Sequence, residues 1–247
     1  MQVVISGREC TPTAPKVRQT LALLALQSQG IVSIASLINE LWGERQPRSA
    51  MTTAQTYIYQ LRKMFNREVE PQGYDAPCDL IRTQSPGYSL RLDGEQLDAT
   101  VFESLYEEGR VLLEQGQPEQ ASSKLRAALA LWRGPCLADV EVGAILRAHT
   151  VHLDEARTRA LELRIRADVE LGRQQHLIPE LRSLVSVHPL NEWFHGQLMS
   201  ALNHAGRRGD ALHVYQTLRS TLDQELGLEP SFEIQALQRQ LLIGGRA

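Results

Sequence analysis

The rhythm of hydrophobic and polar positions changes once along this chain, near residue 95, and the two rhythms predict different architectures. Met1–Thr11 alternates weakly around Gly7, which predicts a short strand and a turn. Pro15 opens a helix over residues 16–27, with Val17, Leu21, Leu24 and Ala25 on one face at the 3.6-residue period. Ser33 suits the N-cap of a second helix, whose stripe is Ile34, Leu37, Ile38, Leu41 and Trp42 and whose stop is Gly43. A third helix runs from about Ala50 to Asn66, with Ala54, Ile58, Leu61 and Phe65 as its buried stripe. Residues 80–92 then read as strand, turn, strand. Pro86-Gly87 suits the centre of a type II turn with φ > 0 at the glycine. Tyr88, Leu90 and Leu92 alternate inward, and Ser89 and Arg91 point out. Three helices followed by a hairpin predict a winged helix-turn-helix.

From about Leu97 helical periodicity takes over. Gly116-x4-Ala121-x3-Leu125 is echoed by Gly172-x4-Leu177-x3-Leu181 and Gly206-x4-Ala211-x3-Tyr215. The last two units stand at the tetratricopeptide spacing, and a long helix over about residues 145–171 lengthens the first gap. Pro135, Pro189 and Pro230 close the units. Trp132 and Trp193 are expected in the core, and His149 and His152 at the surface. The predicted fold is mainly α with a small β component. It comprises a winged helix-turn-helix domain over 1–94 and an all-α tetratricopeptide-like domain over 95–247; an irregular helical bundle is the alternative for the second.

Charge sharpens this division. The chain as a whole carries −3, yet from Arg45 to Arg67 there is no Asp or Glu, while Arg45, Arg48, Arg62, Lys63 and Arg67 are all basic. Such a segment is a plausible footprint for a polyanion. At 100° per residue, the face opposite the third helix's buried stripe collects Thr52, Thr56, Tyr59, Gln60 and Lys63, flanked by Gln55 and Arg62. Thr and Gln can bond base edges, and Arg or Lys can meet guanine or phosphate. Thr is also a mediocre helix former, so the Thr52-Thr53 run is not explained by propensity. Arg82 and Gln84 in the hairpin are placed to reach an adjacent backbone or minor groove. A protein-docking scaffold is the competing reading, which the acid-free run disfavours.

The chemistry of enzymes is missing from the sequence. With only Lys16, Lys63 and Lys124 as lysines there is no phosphate-binding GxxxxGK[ST], and neither HExxH nor GxSxG occurs. Cys10, Cys78 and Cys136 are widely spaced and read as reduced thiols. No catalytic residue, metal or cofactor is expected. No apolar run is long enough to span a membrane, and no signal peptide is legible at the N-terminus.

The chain resembles the Streptomyces antibiotic regulatory proteins, which join an OmpR-like winged helix to a bacterial transcriptional activator domain. The resemblance rests on Ala14-Pro-Lys-x-Arg18, Glu40-Leu-Trp-Gly43, Thr56-Tyr-Ile-Tyr-Gln-Leu-Arg-Lys63 and Pro86-Gly-Tyr88 in the first half. In the second half it rests on His188-Pro-Leu-Asn-Glu192, Leu198-Met-Ser-Ala-Leu202, Gly206-Arg-x-x-Asp-Ala-Leu212 and Glu225-Leu-Gly-Leu-Glu-Pro230. It implies a cytoplasmic, non-enzymatic activator of a secondary-metabolite gene cluster. Such a protein binds direct repeats near the −35 region and recruits RNA polymerase through its sigma factor and other subunits. Tandem binding would let two protomers read two repeats, so self-association on DNA, as a dimer, is also expected. The loop with Glu44, Arg45 and Gln46 would be one polymerase-facing element. The resemblance also implies a few more residues of an initial strand ahead of the Met1–Ile5 equivalent.

Overall fold

A computed structural model of the chain describes residues 1–5, 7–28, 30–69, 80–92 and 96–243. Cys78 and the 94/95 junction lie outside them. The chain divides into two compact units, one of residues 1–108 with 124–160 and the other of 109–123 with 161–247.

In the first unit, β1 (Val4–Ile5) and β2 (Arg8–Glu9) pair antiparallel across Gly7, whose φ of +80° closes the turn. α1 (Pro15–Leu26) starts on a proline whose missing N–H would be unpaired there anyway. The Ser33 hydroxyl accepts from the Ser36 N–H at 2.9 Å and so caps α2 (Ile34–Trp42). Gly43, at φ +56°, ends that helix as the sequence predicts. α3 (Ala50–Val69) runs three residues beyond the predicted end. β3 (Val32–Ser33), β4 (Ile81–Gln84) and β5 (Gly87–Leu90) form an antiparallel sheet in the order β3-β5-β4. Leu23, Leu24, Leu37, Ile58 and Leu61 centre the core.

The hairpin turn corrects one expectation. Ser85–Pro86 is cis, and Gly87 does not take a positive φ, so the turn is not type II. Gly87 serves close approach instead. It stands opposite Ser33 in the sheet, and a Cβ there would lie 1.9 Å from the Val32 carbonyl oxygen.

The remaining helices are α4 (Asp98–Glu114), α5 (Pro118–Ala130), α6 (Ala144–Glu170), α7 (Ile178–Val187), α8 (Glu192–His204), α9 (Arg208–Leu226) and α10 (Phe232–Ile243). A 3-10 turn over Gln174–Leu177 precedes α7. The three repeat glycines share one device. Gly116, Gly172 and Gly206 have φ between +71° and +74°, and each ends a helix. The next residue donates its N–H five residues back: Gln117 to Leu112, Arg173 to Asp168, Arg207 to Leu202. This is the Schellman closure, which satisfies the last helical carbonyls and turns the chain for the next helix. The repeat's other positions, Ala121, Leu125, Leu177, Leu181, Ala211 and Tyr215, are all buried, as tetratricopeptide-like stacking requires. Trp132 and Trp193 are only half-buried. The Trp132 indole meets Phe102 edge-on at 5.4 Å, with the Arg157 guanidinium 4.8 Å from its centroid.

One group in α8 is expected to make the second unit acid-sensitive. His195 is buried, with Nε2 at 3.1 Å from the Pro189 carbonyl oxygen. A carbonyl only accepts, so Nε2 carries the proton and Nδ1 is left buried without a partner. Burial holds the imidazole pKa below its ordinary value, against the opposing pull of that carbonyl and of Glu192. The unfolded chain therefore takes up a proton below pH about 6.5 that the folded chain resists. This contribution to stability is expected to be complete above that pH and to shrink as pH falls below it. Denaturant unfolding between about pH 5 and 8 should show a shallower slope for His195→Gln than for the parent.

Candidate nucleic-acid interface

α3 has two chemically distinct faces. Ala54, Ile58, Leu61 and Phe65 are buried against the first unit's core. Thr52, Gln55, Thr56, Tyr59, Gln60, Lys63 and Arg67 are exposed, and Thr53 is half-buried. Tyr59 is 64% exposed, a large value for an aromatic side chain on a helix that also carries a core stripe. The Thr56 hydroxyl donates to the Thr52 carbonyl at 2.9 Å, so outward it offers only lone pairs and a methyl group. Thr53 Oγ1 lies 3.4 Å from Ser49 Oγ, in hydrogen-bonding contact at the helix start.

Arg62 is placed differently from its neighbours. Its Nε and Nη2 donate to the Ile81 carbonyl at 3.1 and 2.9 Å, and Nη2 also donates to the Thr83 hydroxyl at 2.9 Å. Its carbon centre lies 5.8 Å from the Tyr88 ring centroid. The planar fork of guanidinium donors suits this double role. Arg62 thus ties α3 to β4 and fixes where the hairpin stands beside the helix. On β4, Arg82 and Gln84 are both exposed, and Gln84 Oε1 accepts from the Ser89 hydroxyl at 3.4 Å.

The loop before α3 is exposed throughout, including Glu44, Arg45, Gln46 and Arg48. It is held at its start by Gln46 Nε2 donating to the Gly43 carbonyl at 3.1 Å and by the Arg45 N–H on Trp42. The sequence reading omitted Met51, which is 56% exposed. Helical spacing could have found it, because Met51 precedes Gln55 by four residues and Tyr59 by eight. It also omitted Arg91, exposed just past β5.

A three-helix unit with a capped second helix, a polar and basic third helix and an adjoining hairpin defines a winged-helix DNA-binding regulator. Comparison with known proteins agrees. Residues 7–90 match the family "Transcriptional regulatory protein, C terminal", and residues 97–242 match the "Bacterial transcriptional activator domain". The chain is 41% identical over 237 residues to regulatory protein DnrI of Streptomyces peucetius, covering 96% of this chain and 87% of that one. It is 34% identical over 229 residues to transcriptional regulator RedD of Streptomyces coelicolor, covering 93% of this chain and 64% of that one. Mycobacterium tuberculosis EmbR, solved in complex with a low-affinity phosphopeptide, superimposes with a TM-score of 0.89 at 31% identity. That match covers 98% of this chain and 62% of EmbR. The chain belongs to the Streptomyces antibiotic regulatory protein family of transcriptional activators. No helix among the described residues is long and apolar enough to cross a membrane.

Proposed function

We propose that this protein is a sequence-specific activator of an antibiotic biosynthetic gene cluster, acting in the cytoplasm on direct repeats near the promoter −35 region. The observation that carries the reading is the exposed face of α3. It is acid-free, rich in hydroxyl, amide and basic groups, and continuous with a hairpin that Arg62 holds in place. A helix of ordinary diameter fits the major groove, where each base pair presents a distinct donor and acceptor pattern. Arg48, Lys63, Arg67 and Arg82 supply phosphate attraction, which gives affinity without sequence choice. Thr52, Thr53, Gln55, Thr56, Tyr59 and Gln60 supply the reading surface, and Gln84 contacts DNA from the wing. With its proton committed to Thr52, Thr56 accepts from an adenine or cytosine amino group or packs on a thymine methyl. Arg62 acts chiefly by positioning the wing.

Direct repeats call for protomers arranged head to tail rather than about a two-fold axis. Self-association on DNA would then depend on the repeats lying on one face of the duplex, about one helical turn apart. Recruitment of RNA polymerase, including its sigma factor, would use the exposed loop bearing Glu44, Arg45 and Gln46. The fold boundaries proposed for the two functions are 1–94 for DNA binding and 95–247 for activation.

Footprinting on promoters adjoining the gene, followed by binding across a salt series, tests the reading. Lys63→Ala is expected to weaken binding to all sequences alike and to lower the salt slope by about one unit. Thr56→Ala is expected to keep the slope and relax base preference at a single position. If both variants bound every fragment as the parent does, the groove-facing surface would be misassigned.

A further inference from the structure

Three charged residues of the family motifs, Lys16, Arg18 and Glu40, lie off the α3 face, and all three converge on one segment from the second half of the sequence. This strap runs over residues 137–146 and ends in the first turn of α6. Val140 and Leu146 are buried in the same core as α1, α2 and α3, with Leu137, Val142 and Ile145 packed beside them. Arg18 Nη1 donates to both the carbonyl and a carboxylate oxygen of Asp139, at 3.0 and 2.9 Å. Lys16 Nζ pairs with Glu141 at 2.8 Å and donates to the Leu41 carbonyl at 2.7 Å.

Glu40 makes the deepest of these contacts. It is only 3% exposed, and its carboxylate accepts from the N–H groups of Gly143 at 2.6 Å, Ile145 at 2.7 Å and Leu146 at 3.4 Å. Those are N–H groups that the start of a helix leaves without internal partners, and the positive end of the helix dipole faces the same point. A side chain of α2 therefore caps a helix more than a hundred residues away. Gly143 is shaped to allow it: a Cβ there would lie 2.4 Å from the Glu40 carbonyl oxygen and 2.7 Å from its Cδ. The Glu40 carbonyl is held in turn by the buried Gln19 amide at 2.9 Å. At the strap's entrance Leu137 takes φ +51°, and it is the sole non-glycine among the described residues with positive φ. Left-handed backbone at a bulky residue persists only where surrounding structure enforces it.

We propose that Glu40, Lys16 and Arg18 are positioning residues for activation: they latch the strap, and with it the start of α6, to the helix-turn-helix. The inference rests on the DNA-binding reading above. Glu40 stands three residues before Gly43, where α2 ends and the exposed loop leading to α3 begins. Capping α6 from this point makes the recognition helix, the loop and the α6 N-terminus one body. Polymerase-contacting surfaces on that body then keep a fixed orientation to the DNA. None of the three residues lies on the proposed groove face, so breaking the latch separates binding from activation.

The test uses the full-length Glu40→Gln variant, which keeps the side-chain volume but replaces one acceptor oxygen with a donor facing backbone N–H groups. Amide hydrogen exchange at Gly143, Ile145 and Leu146 is expected to accelerate at least about ten-fold. Affinity for a footprinted promoter fragment should stay within about two-fold of the parent, while transcription from that promoter with RNA polymerase holoenzyme falls at least about five-fold. Because Glu40→Gln could compromise folding, the same measurements are made on Asp139→Asn and Glu141→Gln. These loosen the strap's pairs with Arg18 and Lys16 while leaving the Lys16 bond to the Leu41 carbonyl in place, and are expected to lower transcription without lowering DNA affinity. Unchanged exchange would overturn the cap. Faster exchange with full transcription, or DNA affinity falling in step with transcription, would overturn the coupling. A parent protein that binds no promoter fragment would instead sink the DNA reading itself.

Discussion

Truncating Leu61 to alanine is expected to destabilise the first unit by about 2–5 kcal/mol, the usual range when a fully buried leucine is cut back and the cavity relaxes only in part. Leu61 is completely inaccessible and shares its stripe with Ala54, Ile58 and Phe65. α3 packs on both α1 and α2 through this stripe, so the lost methyl groups leave a hole between three helices. Denaturant unfolding followed by amide exchange in α1 to α3 measures the loss. The informative comparison is with Lys63, two residues on and exposed. Lys63→Ala should change stability by no more than about 0.5 kcal/mol while weakening DNA binding. Leu61→Ala should act in the opposite manner: the folded fraction binds with the parent's salt slope, and apparent affinity drops only as far as that fraction does. Equal salt slopes for parent and Lys63→Ala, together with a stable Leu61→Ala, would mean that the two faces of α3 have been assigned the wrong way round.

Features whose cause is local were legible in the sequence. The Ser33 cap, the Gly43 stop and the α3 stripe depend on a few neighbouring residues, and the structure has them where the spacing predicts. The Gly116, Gly172 and Gly206 repeat was visible because a Schellman turn needs a left-handed residue at one fixed place. Features caused by partners far along the chain were not. Gly87 read as a turn glycine because Pro-Gly is a strong local signal, yet the close approach of the Val32 backbone is what excludes a side chain there. Arg62 read as a groove residue because periodicity sets it at the edge of that face, but Ile81 and Thr83 hold it nineteen and twenty-one residues later. Glu40 lies in the Glu40-Leu-Trp-Gly43 motif, where nothing local points to its role, since its partners stand 103 to 106 residues away. The exposure of the α3 polar face follows from periodicity; its adjacency to the wing required the fold.

The same distinction predicts the most damaging polar substitution in the second unit. Asp168 and Arg164 are 1% and 2% exposed and lie 3.2 Å apart, one turn from each other on α6. Asp168 also accepts from the Ser122 hydroxyl of α5 at 2.9 Å and from Arg173, just past Gly172, at 3.3 Å. Arg164 reaches on to Glu180 of α7. Asp168→Ala leaves the buried guanidinium with the exposed Glu180 as its remaining counter-charge and removes the Asp168 acceptor from the Ser122 hydroxyl. Breaking a buried pair by removing one partner costs about 3–5 kcal/mol, from which the surviving Glu180 contact subtracts. Arg173 is 41% exposed and keeps Glu119 at 2.8 Å, so Arg173→Ala should cost no more than about 1 kcal/mol. The double variant Arg164→Met/Asp168→Leu is expected to be more stable than Asp168→Ala alone, since apolar side chains of similar volume remove both desolvated charges together. Urea unfolding of all three variants decides the matter. A double variant as unstable as the single one would mean that the ion pair contributes directional bonding that packing cannot replace. The α5–α6–α7 junction would then owe its geometry to charge rather than to the small-residue repeat that made it recognisable.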